Sequence, residues 1–206
     1  MTLLHAVQPP TQQQDGRLTQ LVDRAVAGDS EATGALLKAL APSMIRSAQQ
    51  LLGATHADLD DVVQQSLIGF VQALPNFRGE CTIGHFASRI VARIAVAARK
   101  RGHLRADRRD DEVDVDSLER APGSTPDVVD AERRRELVRG LMATLPEEQA
   151  ETLALRIVLG FSLEEVAEAT GVPMNTVRSR VRLAKTALKK RIEADPVLAE
   201  VLEVES

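Results

Sequence analysis

Between positions 18 and 188 the apolar residues recur every three or four places, and nowhere do they alternate with polar residues for the length of a strand. An α-helix imposes that period when one face is buried, so the chain is expected to be all-α. Leu18, Leu21, Val22 and Ala25 form the face of a first helix, which Gly28 closes. Asp29 is placed to cap a second helix carrying Leu36, Leu37 and Leu40. Pro42 is expected to break or restart it before Met44, Ile45, Ala48, Leu51 and Leu52. Asp58 opens a helix with Leu59, Val62, Val63, Leu67, Phe70, Val71 and Leu74 inward, and Pro75 stops it. After the loop 76–81, Thr82 is placed to cap a long helix through Phe86, Ile90, Ile94 and Ala97.

Charge interrupts this periodicity. Positions 99–109 carry six Lys or Arg against Asp107, whereas positions 110–132 carry nine acidic residues against Arg120. The acidic stretch holds Pro122, Gly123, Ser124 and Pro126 and has little periodicity, so it reads as a flexible linker. Two small helical domains are therefore expected: an N-terminal helical bundle over 17–109 and a second domain over 131–193, joined by the acidic linker 110–130. A Gln- and Pro-rich arm over 1–16 is expected to be disordered, and 194–206 forms an acidic tail with the residues for a short terminal helix.

Composition narrows the function. With 30 acidic and 26 basic side chains among 206 residues the net charge is −4, which argues against a uniformly basic coat for DNA but leaves local patches open. There is no Trp and no Tyr, and the aromatic residues are Phe70, Phe77, Phe86 and Phe161, so a wide stacking platform for bases is excluded. The single cysteine, Cys81, excludes an intrachain disulfide and a multi-cysteine zinc site, and points to a reducing compartment. No apolar run approaches the roughly 18 residues of a membrane span, and the first ten residues lack the charged end and long apolar core of a signal peptide. A soluble, cytoplasmic protein is expected.

The second block carries the sharpest motif. Leu145-Pro146-Glu147-Glu148 starts a helix with Leu153, Leu155, Ile157 and Val158 on its apolar face, expected to end at Gly160. Ser162 and Glu165 have capping-box spacing and launch a short helix with Val166 and Ala167 inward. Gly171 stands at a tight turn, Pro173 suits the first turn of the next helix, and that helix buries Val177, Val181, Ala184 and Leu188. Its other face shows Arg178, Arg180, Arg182, Lys185, Lys189, Lys190 and Arg191, with no acidic residue between Thr176 and Arg191. Short helix, glycine turn and a second helix with polar N-terminal residues is helix-turn-helix geometry. Asn175, Thr176, Arg178, Ser179 and Arg182 can reach base edges or phosphates, with Arg180 and Lys185 beside them; the later cations reach phosphate alone. An ordinary helical hairpin with a solvated basic face is the simpler alternative.

The stretch from Leu145-Pro-Glu-Glu through Gly160-Phe-Ser-Leu-Glu-Glu-Val-Ala-Glu to Gly171-Val-Pro-Met-Asn-Thr-Val-Arg-Ser-Arg-Val-Arg-Leu-Ala-Lys resembles the promoter −35-binding domain of extracytoplasmic-function (ECF) sigma factors. The first block resembles the other domain of that family through Ala27-Gly28-Asp29, Asp60-Asp61-Val62-Val63-Gln64, Asn76-Phe77-Arg78-Gly79-Glu80 and the basic helix from Arg89 to Arg101. The resemblance implies a factor that binds core RNA polymerase, directs it to promoters and helps open the −10 region. It implies polymerase contact through Asp60, Asp61, Gln64 and Gln65, and −10 contact through Asn76, Phe77, Arg78, Phe86, Arg89, Arg93, Arg99 and Lys100. It also implies an anti-sigma factor as a partner. Without the resemblance, Asp58, Asp60 and Asp61 read equally as acids at a helix start, and the α-helical arginines as a solvated helix end. The sequence departs from the family where Gln65 stands in place of a common acidic residue, where Leu67 and Val71 stand in place of aromatic ones, and where Phe86 stands in place of a tryptophan. Arg93 and Ala97 likewise replace a common Asn and Asp.

Other constellations are weaker. Cys81 and His85 are four apart and could share a metal, but two further ligands are wanting nearby. There is no glycine-rich phosphate loop and no nucleophile–base signature, so no enzyme, cofactor, metal or small-molecule substrate is expected. Two other classes remain open: a stand-alone helix-turn-helix regulator whose first block is a dimerisation or sensor domain, and an adaptor that binds polymerase without promoter activity.

Overall fold

The structure, a computed structural model, describes residues 12–107, 126–195 and 198–199. The expectations for positions 1–11, most of the acidic linker (110–125) and the end of the tail (200–206) lie outside the described residues. Among the described residues every regular element is helical: α1 (Gln12–Val26), α2 (Ser30–Leu52), α3 (Leu59–Ala73), a 3₁₀ turn (Leu74–Asn76), α4 (Ile83–Asp107), α5 (Pro126–Ala143), α6 (Glu147–Leu153), a π-helical turn (Ala154–Val158), α7 (Leu163–Thr170) and α8 (Met174–Ala194). No helix among them is long and apolar enough to cross a membrane.

The helix boundaries correct the sequence reading in four places. Residues 12–16 belong to α1 rather than to a disordered arm, and 126–130 belong to α5 rather than to the linker. Pro42 does not break α2, which runs unbroken from Ser30 to Leu52. Pro42 is exposed, so the Lys38 carbonyl it leaves without a helical donor faces water, while Leu36, Leu40, Met44 and Ala48 bury the opposite face. The helix beginning at Glu147 does not continue regularly to Gly160. It widens into the π turn, where the Leu159 N–H donates to the Ala154 carbonyl at 3.0 Å. The added residue changes the phase of the face: Leu155 is fully buried and Ile157 is 45 % exposed.

Local signals hold at most other boundaries. The Asp29 carboxylate accepts from the Glu31 and Ala32 N–H groups at 2.9 and 3.1 Å, and Arg24 donates to its other oxygen. Those backbone and arginine hydrogen bonds hold the Asp29 carboxyl below its ordinary pKa. The Thr82 hydroxyl accepts from the His85 N–H at 3.1 Å at the start of α4. Asp58 precedes α3 without capping it through its side chain; its N–H donates to His56 Nδ1 at 3.1 Å.

Helices α1–α4 wrap a core of Leu36, Met44, Leu52, Val62, Phe70 and Val91, and α5–α8 wrap a second around Leu155, Val166, Val177 and Ala184. The two are continuous. Helix α4 packs against α2 and α3 on one side and against α5, α6, α7 and the π turn on the other. It is long enough, at 25 residues, to serve both blocks, and its small residues Ala87, Ala92, Ala95 and Ala98 let neighbouring backbones approach on both sides.

Candidate nucleic-acid interface

Helices α7 and α8 form the helix-turn-helix. The capping box is closed in both directions: Ser162 Oγ accepts from the Glu165 N–H at 3.0 Å, and Glu165 Oε2 accepts from the Ser162 N–H at 2.7 Å. Gly171 ends α7 at φ +67, the left-handed conformation that a side chain resists, and turns the chain into Pro173, the residue preceding α8. Val177 and Ala184 are fully buried, while Val181 and Leu188 are half-buried at the edges of the same face. That anchoring orients the rest of the helix outward.

Asn175, Arg178, Arg182 and Lys185 are exposed along one stripe of α8, and Arg178 Nη1 donates to Asn175 Oδ1 at 3.4 Å. Thr176 and Ser179 are half-buried beside it. Arg180 is held by Glu148 of α6 at 2.8 Å. Lys189, Lys190 and Arg191 continue the exposed cations, with Lys189 3.5 Å from Glu193.

The loop 77–82 and α4 are arranged differently. Asn76, the last residue of the 3₁₀ turn, and Arg78 of the loop are exposed, and the loop overhangs a cleft of about 520 Å³ against Leu18, Val22 and Val26 of α1. Behind it Phe77 and Phe86 have ring centroids 5.0 Å apart, and Phe86 meets Phe70 edge-on at 6.2 Å. Phe86 is thus packed between two rings and half-buried. Cys81 is half-buried at the rim of the cleft, and burial, then the nearby Glu168 carboxylate, pushes its thiol pKa up. No group of His, Cys, Asp and Glu among the described residues is arranged to hold a metal ion.

On α4, Arg93 is exposed and Lys100 half-exposed, whereas Arg89 and Arg99 are engaged by the second block. Arg89 Nε lies 3.3 Å from Glu151 of α6. The Arg99 guanidinium, 10 % exposed, meets Glu136 of α5 in a two-pronged pair at 2.9 Å on each side. Arg99 also donates to the carbonyls of Leu51 and Leu52 at the end of α2. Arg139 of α5 donates to the next carbonyl in that row, Gln50, at 3.1 Å. Two arginines from different blocks therefore satisfy the last carbonyls of one helix, with Glu136 between them. Burial raises the Glu136 carboxyl, but the hydrogen bonds and charges of Arg99 and Arg139 outweigh it and hold its pKa below the ordinary value. His56 sits nearby; burial, then the Arg99 charge, lowers its pKa.

On α3, Asp60, Asp61, Gln64 and Gln65 are all exposed, as an interaction face requires. Val71, expected inward, is instead 38 % exposed, and Ile68, which the sequence reading did not single out, is 49 % exposed. Ser66 takes the inward place, its hydroxyl bonded to the Val62 carbonyl at 2.6 Å. The outward stripe 61, 64, 68, 71 has helical spacing, so Ile68 was recognisable from its register with Asp61 and Gln64.

Comparison with known proteins agrees with this architecture. The family profile described as ECF sigma factor matches residues 15–194. The chain is 30 % identical to the ECF RNA polymerase sigma factor SigD of Mycobacterium tuberculosis (strain H37Rv) over 91 % of this chain and 90 % of that protein. It is 28 % identical to the ECF RNA polymerase sigma-E factor of Escherichia coli (strain K12) over 84 % and 93 %. The fold resembles that of CnrH, solved in complex with the cytosolic domain of CnrY, with a TM-score of 0.51 at 22 % identity over 85 % of this chain and 97 % of that one. A profile match across nearly the whole chain, on a helical architecture ending in a helix-turn-helix, means that this chain belongs to the ECF sigma factor family.

Proposed function

We propose that this sigma factor works in the cytoplasm, binds core RNA polymerase through the outward face of α3, and directs it to promoters by two DNA surfaces. The first is α8, which enters the −35 major groove with Asn175, Arg178 and Arg182, while Lys185 follows the phosphates. The second is the loop carrying Asn76, Phe77 and Arg78, together with the cations of α4, which engages the −10 element. The polymerase face is Asp60, Asp61, Gln64 and Gln65, joined by Ile68 and Val71, whose exposed side chains add apolar area to a polar rim.

The observation that carries this reading is the α8 stripe: four polar or basic side chains at groove-reading spacing, exposed on a helix whose opposite face is locked by Val177 and Ala184. Tethering two weak DNA contacts in one chain raises the affinity of each. The complex of CnrH with the cytosolic domain of CnrY supports a further protein partner for this chain, and the family resemblance makes that partner an anti-sigma factor. Run-off transcription with purified core polymerase tests the reading. A transcript that depends on the protein and on both promoter elements is expected. Binding to −35 DNA without initiation would instead favour a stand-alone helix-turn-helix regulator.

A further inference from the structure

Positions 85, 89, 92, 96 and 99 fall on one stripe of a helix with 3.6 residues per turn. In α4 that stripe bears His85 and Arg89 at one end, Ala92 and Val96 in the middle, and Arg99 at the other end. Each of the three basic residues meets a carboxylate, and each carboxylate comes from a different helix of the second block. Glu165 Oε1 of α7 is 3.7 Å from His85 Nε2, Glu151 of α6 is 3.3 Å from Arg89, and Glu136 of α5 grips Arg99. Apolar contact fills the space between: Phe161 lies against the His85 ring with centroids 4.4 Å apart, and Met142, Ala143 and Val158 close on Val96 around a gap of only about 20 Å³. Glu151 is 12 % exposed, a strongly dehydrated carboxylate with Arg89 as its cation.

Resting on the reading that α4 engages −10 DNA, we propose that the second block is an internal competitor for that surface. Its carboxylates Glu136, Glu151 and Glu165 occupy the places along α4 that backbone phosphates would take, and the closed arrangement excludes DNA from the stripe. A cationic stripe that accepts carboxylates at such spacing also suits a phosphodiester backbone, because both ligands offer paired anionic oxygens to Arg. The α8 stripe is left free, so the closed protein retains its −35 surface, while at −10 the second block occupies Arg89 and Arg99 and leaves Asn76, Arg78, Arg93 and Lys100 open to solvent. DNA engagement at −10 then requires the seam to part, with Glu136 leaving Arg99 while Arg99 keeps the α2 carbonyls.

The test uses the full chain in a Cys81→Ser background, spin-labelled at Ala35→Cys and Lys190→Cys, one exposed site in each block. Interblock distances and affinity for a forked −10 promoter fragment are measured for wild type, for E136Q/E151Q and for E136A/E151A. A control, E31Q/E147Q, removes two carboxylate charges at exposed sites, one in each block, that pair with no residue of α4. Both seam variants are expected to shift the distance distribution to longer values and to bind the −10 fragment several-fold more tightly than the control. An unchanged distance distribution in folded seam variants overturns the closed contact. Longer distances with −10 affinity equal to the control's overturn the competition. Run-off transcription separates the two readings: transcript from wild type with no gain in the variants counts against the competitor, whereas no transcript from any variant despite gained DNA affinity counts against the sigma reading alone.

Discussion

The two surfaces proposed to meet DNA are built on opposite plans. Helix α8 is anchored by one buried face and presents Asn175, Arg178, Arg182 and Lys185 to solvent. Helix α4 is embraced on both sides, and Arg89 and Arg99 are paired with acids from the other block. The first surface is ready-made; the second is in use. An arginine's place in a sequence motif thus says which helix it belongs to, but not whether its guanidinium is free. That depends on which carboxylates the tertiary fold brings within about 3–4 Å of it.

The largest expected effect asks whether the blocks are energetically one unit. Phe70→Ala removes a fully buried ring from the first block and should cost about 3–5 kcal/mol. If the α4 seam couples the blocks, thermal melting followed by probes in each block will move together. An unchanged transition in the helix-turn-helix would break the picture of a shared core. Next, Arg178→Ala should weaken −35 duplex binding by about 1–3 kcal/mol if it touches a base. Wild-type affinity at that duplex would remove Arg178 from the readout. Ser162→Ala opens the capping box that sets the helix-turn-helix and should destabilise the protein by about 0.5–2 kcal/mol in chemical denaturation. Lys185→Ala should lower DNA affinity nearly equally across sequences and reduce the slope of log affinity against log salt by about 1.

The smallest effect sharpens the seam itself through pH. His56 faces Arg99, Asp58, Glu136 and Arg139, and its pKa is lowered below 6.5 in the folded protein. The unfolded chain therefore binds its proton more readily, and the stability that neutral His56 contributes is present above pH 6.5 and lost as pH falls below it. Glu136, with its pKa lowered from 4.5, acts in the same direction in a more acid window, its contribution lost as pH falls through its depressed value. Stability should therefore fall as pH drops below 6.5, and His56→Gln should flatten that step. An unchanged pH profile in His56→Gln would dismiss its role.

Much of the architecture was legible because it is local. The caps at Asp29, Thr82 and Ser162 and the glycine turn at Gly171 involve residues within a few positions of one another, and each formed where the spacing placed it. The failures have a common cause in packing. Propensity, which speaks for an isolated helix, predicts a break or restart at Pro42, yet the buried side chains on the opposite face hold α2 together. Apolar character places Val71 inward, but Ser66 and Phe70 fill the space toward the core and leave Val71 outside. The period of so short a helix carries no signal of the phase shift at the π turn, which turns Ile157 outward.

Hydrophobic period, caps, turn glycine and the cationic run by themselves determined that the described residues are helical and carry a helix-turn-helix, because those features act over one or two helical turns. Only the tertiary structure decided that α4 serves both blocks, that Arg99 and Arg139 share the carbonyl end of α2, and that Glu136, Glu151 and Glu165 reach Arg99, Arg89 and His85 on α4. Those partners lie 37, 62 and 80 positions from Arg99, Arg89 and His85 respectively. Periodicity carries no information across such separations; the closing of the two helical blocks on a common helix brings the partners together.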